Sequence, residues 1–216
     1  MIERRFSKGA EVRAAETPAK DPLILGYAAV FNEPYVMYED RNYRVVEYIA
    51  PGAFTPVLNT DVRCLYNHNA NFVLGRSSSG TLALSQDDKG LAFNNTMDPE
   101  SGIARDVYRA IKRGDVQGCS FAFTVGKESV TREKVDGKTV ITRTIESLDG
   151  LYDVGPVTYP AYEQTSVNAR ELRSVMDELP LSVRTAMQEK DPEPGPTFDL
   201  EAAKRHTRQI EIELGL

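Results

Sequence analysis

One dipeptide constrains this chain more than any other feature: Asp136-Gly137, set between β-rich runs at 120–135 and 138–154. Asp-Gly in that setting is a strong signal for a two-residue hairpin turn, whose central residues both need positive φ. The chain is therefore expected to carry a long antiparallel hairpin. With Val135 paired to Lys138, Ser120 lies opposite Asp153. Lys127 then lies opposite Glu146, a favourable cross-strand ion pair. Gly126 and Gly150 are candidate bulge positions. One bulge shifts the register, which leaves Asp149 as an alternative neighbour for Ser120.

The stretch before the hairpin reads the same way, as short β-rich runs between turn residues. Runs at 24–31, 43–49, 62–66, 72–76, 81–85 and 91–95 are the expected strands. Asp98-Pro99 offers a cap followed by proline in the first turn. Ile103, Val107, Ala110 and Ile111 keep helical spacing, and Gly114 follows a cationic last turn. A helix is expected there. Residues 1–22 are polar and charged and are expected to be a flexible arm.

The far end differs in kind. Of 18 aromatic residues, 17 precede residue 163. Residues 163–216 hold 7 Lys/Arg and 11 Asp/Glu, so −4 of the formal net charge of −6 sits there. Leu172, Val175, Met176 and Leu179, and later Leu200, Ala203, Ile210 and Leu214, recur at helical spacing on either side of a Pro-rich linker at about 190–197. These are expected to be amphipathic helices on a tether, apart from the β body. A mildly acidic chain with no basic block is a poor nucleic-acid binder. No apolar run approaches a membrane span, and the first residues lack the apolar core of a secretory signal. Two cysteines and two histidines, with no Cys-x-x-Cys, argue for a reducing compartment and against a metal site or a disulfide framework.

Scarcity directs the search for chemistry. His206 falls on the apolar side of a tail helix, where packing explains it. His68 stands at a strand end between two asparagines, where a ring can either cap the turn or project into a cleft. Ser120, in Gly118-Cys119-Ser120-Phe121-Ala122-Phe123, needs a base to become a nucleophile. Taken alone it reads as a serine satisfied at a strand end. Cys119 is intrinsically the better nucleophile, but it shares parity with Phe121 and Phe123 and is expected to be buried on the opposite face.

Five segments, in order, resemble the prohead (capsid maturation) proteases of tailed bacteriophages. They are Gly26-Tyr27-Ala28-Ala29-Val30-Phe31-Asn32, Glu47-Tyr48-Ile49-Ala50-Pro51-Gly52-Ala53-Phe54, Leu65-Tyr66-Asn67-His68-Asn69 with Val73-Leu74-Gly75-Arg76, Arg113 through Phe123 around Ser120, and Asp153-Val154-Gly155-Pro156-Val157-Thr158-Tyr159-Pro160-Ala161-Tyr162. The resemblance implies a serine endopeptidase with His68 as base and Ser120 as nucleophile. Its fold would be similar to that of herpesvirus assemblins: α+β but mainly β, a small closed or partly closed barrel with flanking helices. Assemblins use a second histidine as third member. Here the only other one is His206, so a carboxylate is expected in that place: Asp153, with Asp149 and Glu146 as alternatives.

The resemblance further implies a protease domain at 23–165 and a helical, acidic extension at 166–216. No cofactor or metal is expected. The expected partners are the major capsid protein with its scaffold segment, then the portal protein and a second copy of the chain. The expected setting is the procapsid in the host cytoplasm, with no membrane and no nucleic acid. The competing readings are a non-enzymatic scaffold or capsid-assembly protein, and a cysteine peptidase using Cys119.

Overall fold

The hairpin is the spine of the computed structural model, in which residues 2–6, 9–16, 21–159 and 179–189 are described. In chain order the elements are β1 (Glu3–Arg5), β2 (Glu11–Glu16), β3 (Pro22–Val30), β4 (Tyr35–Glu39), β5 (Tyr43–Ile49), β6 (Arg63–Leu65), β7 (Val73–Arg76), β8 (Leu82–Gln86), β9 (Gly90–Thr96), α1 (Gly102–Arg113), β10 (Gly118–Val135), β11 (Lys138–Val157) and α2 (Leu181–Gln188). Among the described residues the chain is mainly β with two helices. Asp136 (φ 51°) and Gly137 (φ 81°) form the expected turn between β10 and β11.

Strands of 18 and 20 residues reach roughly 60 Å at about 3.3 Å per residue, too far to lie flat on one core. Register shifts between Ala122 and Glu128 bend the hairpin. Their net effect is a slip of two residues. Ser120 therefore pairs with Gly155, and Asp153 pairs with Ala122, which corrects the expected Ser120–Asp153 pairing. A slip of two preserves side-chain parity, whereas a slip of one would have turned Asp153 to the other face.

The length of β11 also lets it carry two strands in succession along its other edge, both parallel: β5 at Thr139–Ile145 and β6 at Asp153–Val154. The resulting seven-stranded sheet runs β1-β10-β11-β5-β4, with β6 and β7 attached to β11. A four-stranded sheet runs β2-β3-β9-β8. Among the described residues neither pairing path returns on itself, so of the closed or partly closed barrel expected, the closed form is not found and two open sheets stand instead. They share one core, in which Phe31, Phe54, Phe121 and Phe123 follow one another at centroid distances of 5.9, 5.5 and 4.9 Å.

Three further expectations change. The flexible arm at 1–22 contains two sheet strands, because Ala10 and Val12 reach the core and β1 finds a free edge on β10. Helix α1 starts after Ser101, whose Oγ accepts from Ala104 N–H. Asp98 instead accepts from Glu100 N–H in the preceding turn. In the tail, α2 is not held off from the body. Leu179, Val183, Ala186 and Met187 pack against Met37, Tyr38, Val45 and Ile141, an apolar patch of the larger sheet that would otherwise face water. The remaining tail expectations, including His206, the linker and the positions from Leu200 to Leu214, lie outside the described residues, as do Leu172, Val175 and Met176.

Candidate active site

Asp153 sits on β11 with β10 on one side and β6 on the other. β10 brings Ser120, and β6 leads into the turn that carries His68. The central strand thus gathers three residues that are up to 85 positions apart. His68 Nε2 lies 2.7 Å from Ser120 Oγ, and His68 Nδ1 lies 2.5 Å from Asp153 Oδ1. Ser120 is 5% exposed and Asp153 6%. A carboxylate this buried is stabilised by its hydrogen bond, and it holds the ring with Nδ1–H toward itself and Nε2 toward the serine hydroxyl. In that state Ser120 has a proton acceptor in line.

The alternatives lie elsewhere. Glu146 Oε2 is 2.6 Å from Lys127 Nζ, the expected ion pair, although Lys127 is paired with Ser147 and not with Glu146, and Asp149 is exposed. Cys119 is fully buried on the core side, its Sγ–H donating to Gly155 O at 3.1 Å. Burial pushes its thiol up to about 12 and raises that of Cys64 as well. A thiol so protonated is a poor nucleophile.

The turn that presents His68 is built against preference. Asn67 (φ 55°) and His68 (φ 56°) are both in the left-handed region, which costs energy for a side chain such as histidine. A clamp holds them. Asn67 N–H donates to Pro156 O at 3.0 Å, Asn67 Nδ2 donates to Thr158 Oγ1 at 3.0 Å, and Asn67 Oδ1 accepts from Thr158 N–H at 2.8 Å. Tyr66 OH joins Thr158 Oγ1 at 2.6 Å. Next to the clamp, Gly155 passes so close to Leu65 that a Cβ would stand 2.1 Å from its carbonyl oxygen. The clamp was not foreseen from the sequence. Its residues lie 91 positions apart, and the one available signal was an asparagine before the histidine, a residue that tolerates positive φ.

A second polar cluster, also unforeseen, is linked to the serine through Arg5, whose carbonyl oxygen accepts from Ser120 Oγ at 2.8 Å. Glu47 and Arg143 are nearly inaccessible, at 1% and 2%. Arg143 Nη1 is 2.5 Å from Glu47 Oε2 and 2.8 Å from Glu3 Oε2, and its other nitrogens reach Glu128. Arg5 Nε donates to Glu47 Oε1 at 2.6 Å, and Arg5 Nη2 reaches Glu47 Oε2 at 3.1 Å. Burial opposes the Arg5 charge, but Glu47 more than offsets it and raises its pKa. Burial likewise pushes the Glu3 carboxyl up, but Arg143 and Arg5 outweigh it and hold the acid below its usual range.

With this geometry in view, the comparisons with known proteins decide the family. Residues 8–178 match the family described as Caudovirus prohead serine protease. The chain belongs to that family. It is also 30% identical over 156 residues to the prohead protease of Enterobacteria phage HK97, covering 69% of this chain and 60% of that protein. The matched part thus spans about three fifths of the length of this curated relative. No solved structure matches the chain. Among the described residues, no helix is long and apolar enough to cross a membrane.

Proposed function

We propose that the chain is a serine endopeptidase of phage capsid maturation, with Ser120 as nucleophile, His68 as general base and acid, and Asp153 as the residue that orients His68. The observation that carries this reading is the contact of Ser120 Oγ with His68 Nε2 and of His68 Nδ1 with the buried Asp153 in a chain of the prohead protease family.

Ser120 Oγ attacks the scissile carbonyl carbon while His68 Nε2 takes its proton. The positive charge formed on the ring is held beside the Asp153 carboxylate. His68 then delivers that proton to the departing amine as the C–N bond breaks, leaving an acyl ester on Ser120. Water, losing its proton to His68, attacks the ester and frees the acid and the serine.

The substrates in this reading are the major capsid protein with its scaffold segment and the chain itself, inside the procapsid, with the portal protein and a second copy as further partners. The catalytic unit comprises 23–165 together with β1 and β2. Residues 166–216 form a delivery segment that docks through α2 and is cut away on maturation. A partly closed, assemblin-like barrel belongs to the proposal too. It is supported by the shared core and by a backbone bond from Val12 N–H in β2 to Gln117 O, the residue just before β10. The test is Ser120→Ala, expected to abolish processing of the chain and of co-expressed capsid scaffold. Undiminished processing in that variant overturns the reading.

A further inference from the structure

Strand β1 stands in an unusual relation to the serine. It pairs antiparallel with the residues that follow the nucleophile, Arg5 with Phe121 and Glu3 with Phe123. It ends with the Arg5 carbonyl oxygen 2.8 Å from Ser120 Oγ. A backbone carbonyl delivered to the nucleophile by an added edge strand is how an extended peptide enters a cleft of this kind. The hydroxyl has one proton. While it donates to Arg5 O it cannot donate to His68 Nε2, so this carbonyl competes with the base for that proton.

The side chains fit the same relation. Glu3 and Arg5, two apart, both turn into the cluster around Glu47, while Arg4 lies outside it at the surface. The Arg5 guanidinium forks onto the Glu47 carboxylate and lies 5.4 Å from the Tyr35 ring centre and 5.9 Å from that of Phe123. An acid at the base of an aromatic-walled slot suits a planar guanidinium. Without Glu3 and Arg5, the slot keeps Glu47, Glu128 and Arg143, a net charge of −1, so it remains a site for a cation.

We infer that Glu3–Arg5 occupies the acyl side of the substrate cleft as a built-in competitor, and that Glu47 makes the neighbouring slot a specificity pocket for arginine immediately before the scissile bond. This rests on the serine endopeptidase reading and adds the substrate class and a restraint on activity. It also gives Glu47 a use: a substrate arginine replaces Arg5 as a partner of this buried carboxylate.

The experiment measures how fast Ser120 is phosphonylated by a fluorophosphonate, its Oγ displacing fluoride. The full-length protein is compared with a variant carrying Glu3→Gly, Arg4→Ser and Arg5→Gly. The variant should label at least about tenfold faster, since its serine proton is free for His68. Adding acetyl-Ile-Glu-Arg-Arg-amide should slow it again. The same peptide with citrulline last, neutral but of the same shape, should compete about 100-fold more weakly, having lost its charge-assisted bonds.

Equal labelling of the two proteins, or equal competition by the two peptides, overturns the inference and leaves the protease reading standing. Absence of labelling in both proteins overturns the protease reading and the inference with it. A purely structural role for β1 predicts a lower melting temperature for the variant with no gain in labelling, which also counts against the inference.

Discussion

Asp153→Asn is the sharpest perturbation of the relay, because it keeps volume and burial and changes one charge. In the wild-type geometry the carboxylate accepts from Nδ1–H at 2.5 Å, so Nε2, 2.7 Å from Ser120 Oγ, is left as an acceptor. An asparagine amide in that place donates to Nδ1. The proton then resides on Nε2, which points a donor at a hydroxyl that needs an acceptor. The buried site offers no water shell to undo the exchange, Asp153 being 6% exposed. The same change in a serine protease triad lowers kcat about 10⁴-fold, which is about 5.4 kcal/mol at ~1.36 kcal/mol per decade. We expect a loss of that order in the rate of Ser120 phosphonylation and in scaffold cleavage, with the fold checked by near-ultraviolet circular dichroism. Glu146→Gln and Asp149→Asn, at exposed or surface-paired positions, should stay within about twofold of wild type. A folded Asp153→Asn protein that keeps more than about a tenth of the wild-type rate would refute the reasoning, as would an equal loss in Asp149→Asn.

The other predictions concern the scaffold of the site. Asn67→Ala removes both side-chain bonds to Thr158 and leaves alanine at positive φ, so it should cost about 2–4 kcal/mol in urea unfolding and lower kcat more than it raises KM. Gly155→Ala drives a methyl into Leu65 O and should lower stability by about 3 kcal/mol or more; a melting temperature near wild type would count against the tight crossing. Iodoacetamide at pH 8 should leave both cysteines of the folded protein unmodified and activity intact, since burial raises both thiols; mass spectrometry reads this directly. Glu3 is held below its ordinary value of 4.5, so its ion pairs contribute fully above that pH and are lost as pH falls through the lower folded value. Wild-type and Glu3→Gln melting curves should therefore differ at pH 6 and converge in strong acid, and a constant offset would contradict the assignment.

Local sequence was enough for the features that depend on neighbours along the chain. Asp136-Gly137 dictated the turn because few other dipeptides accept two positive φ values. The parity of Cys119 with Phe121 and Phe123 put the thiol on the core face and the Ser120 hydroxyl on the opposite one, and the ordered motifs pointed to His68 and Ser120. Asp153 is nevertheless paired with Ala122 and not with Ser120. The bulges slip the hairpin by two residues, and the aspartate remains on the serine's face because an even slip preserves parity. No local pattern sets the size of that slip. It is decided by how the long hairpin must bend around a shared core. The tertiary structure alone also decided that β11 carries β6 beside Asp153, that Thr158 clamps Asn67, and that the charged residues Glu3, Arg5, Glu47 and Arg143 meet beside the serine. A buried charge is tolerated only with partners, and those partners come from strands distant in sequence.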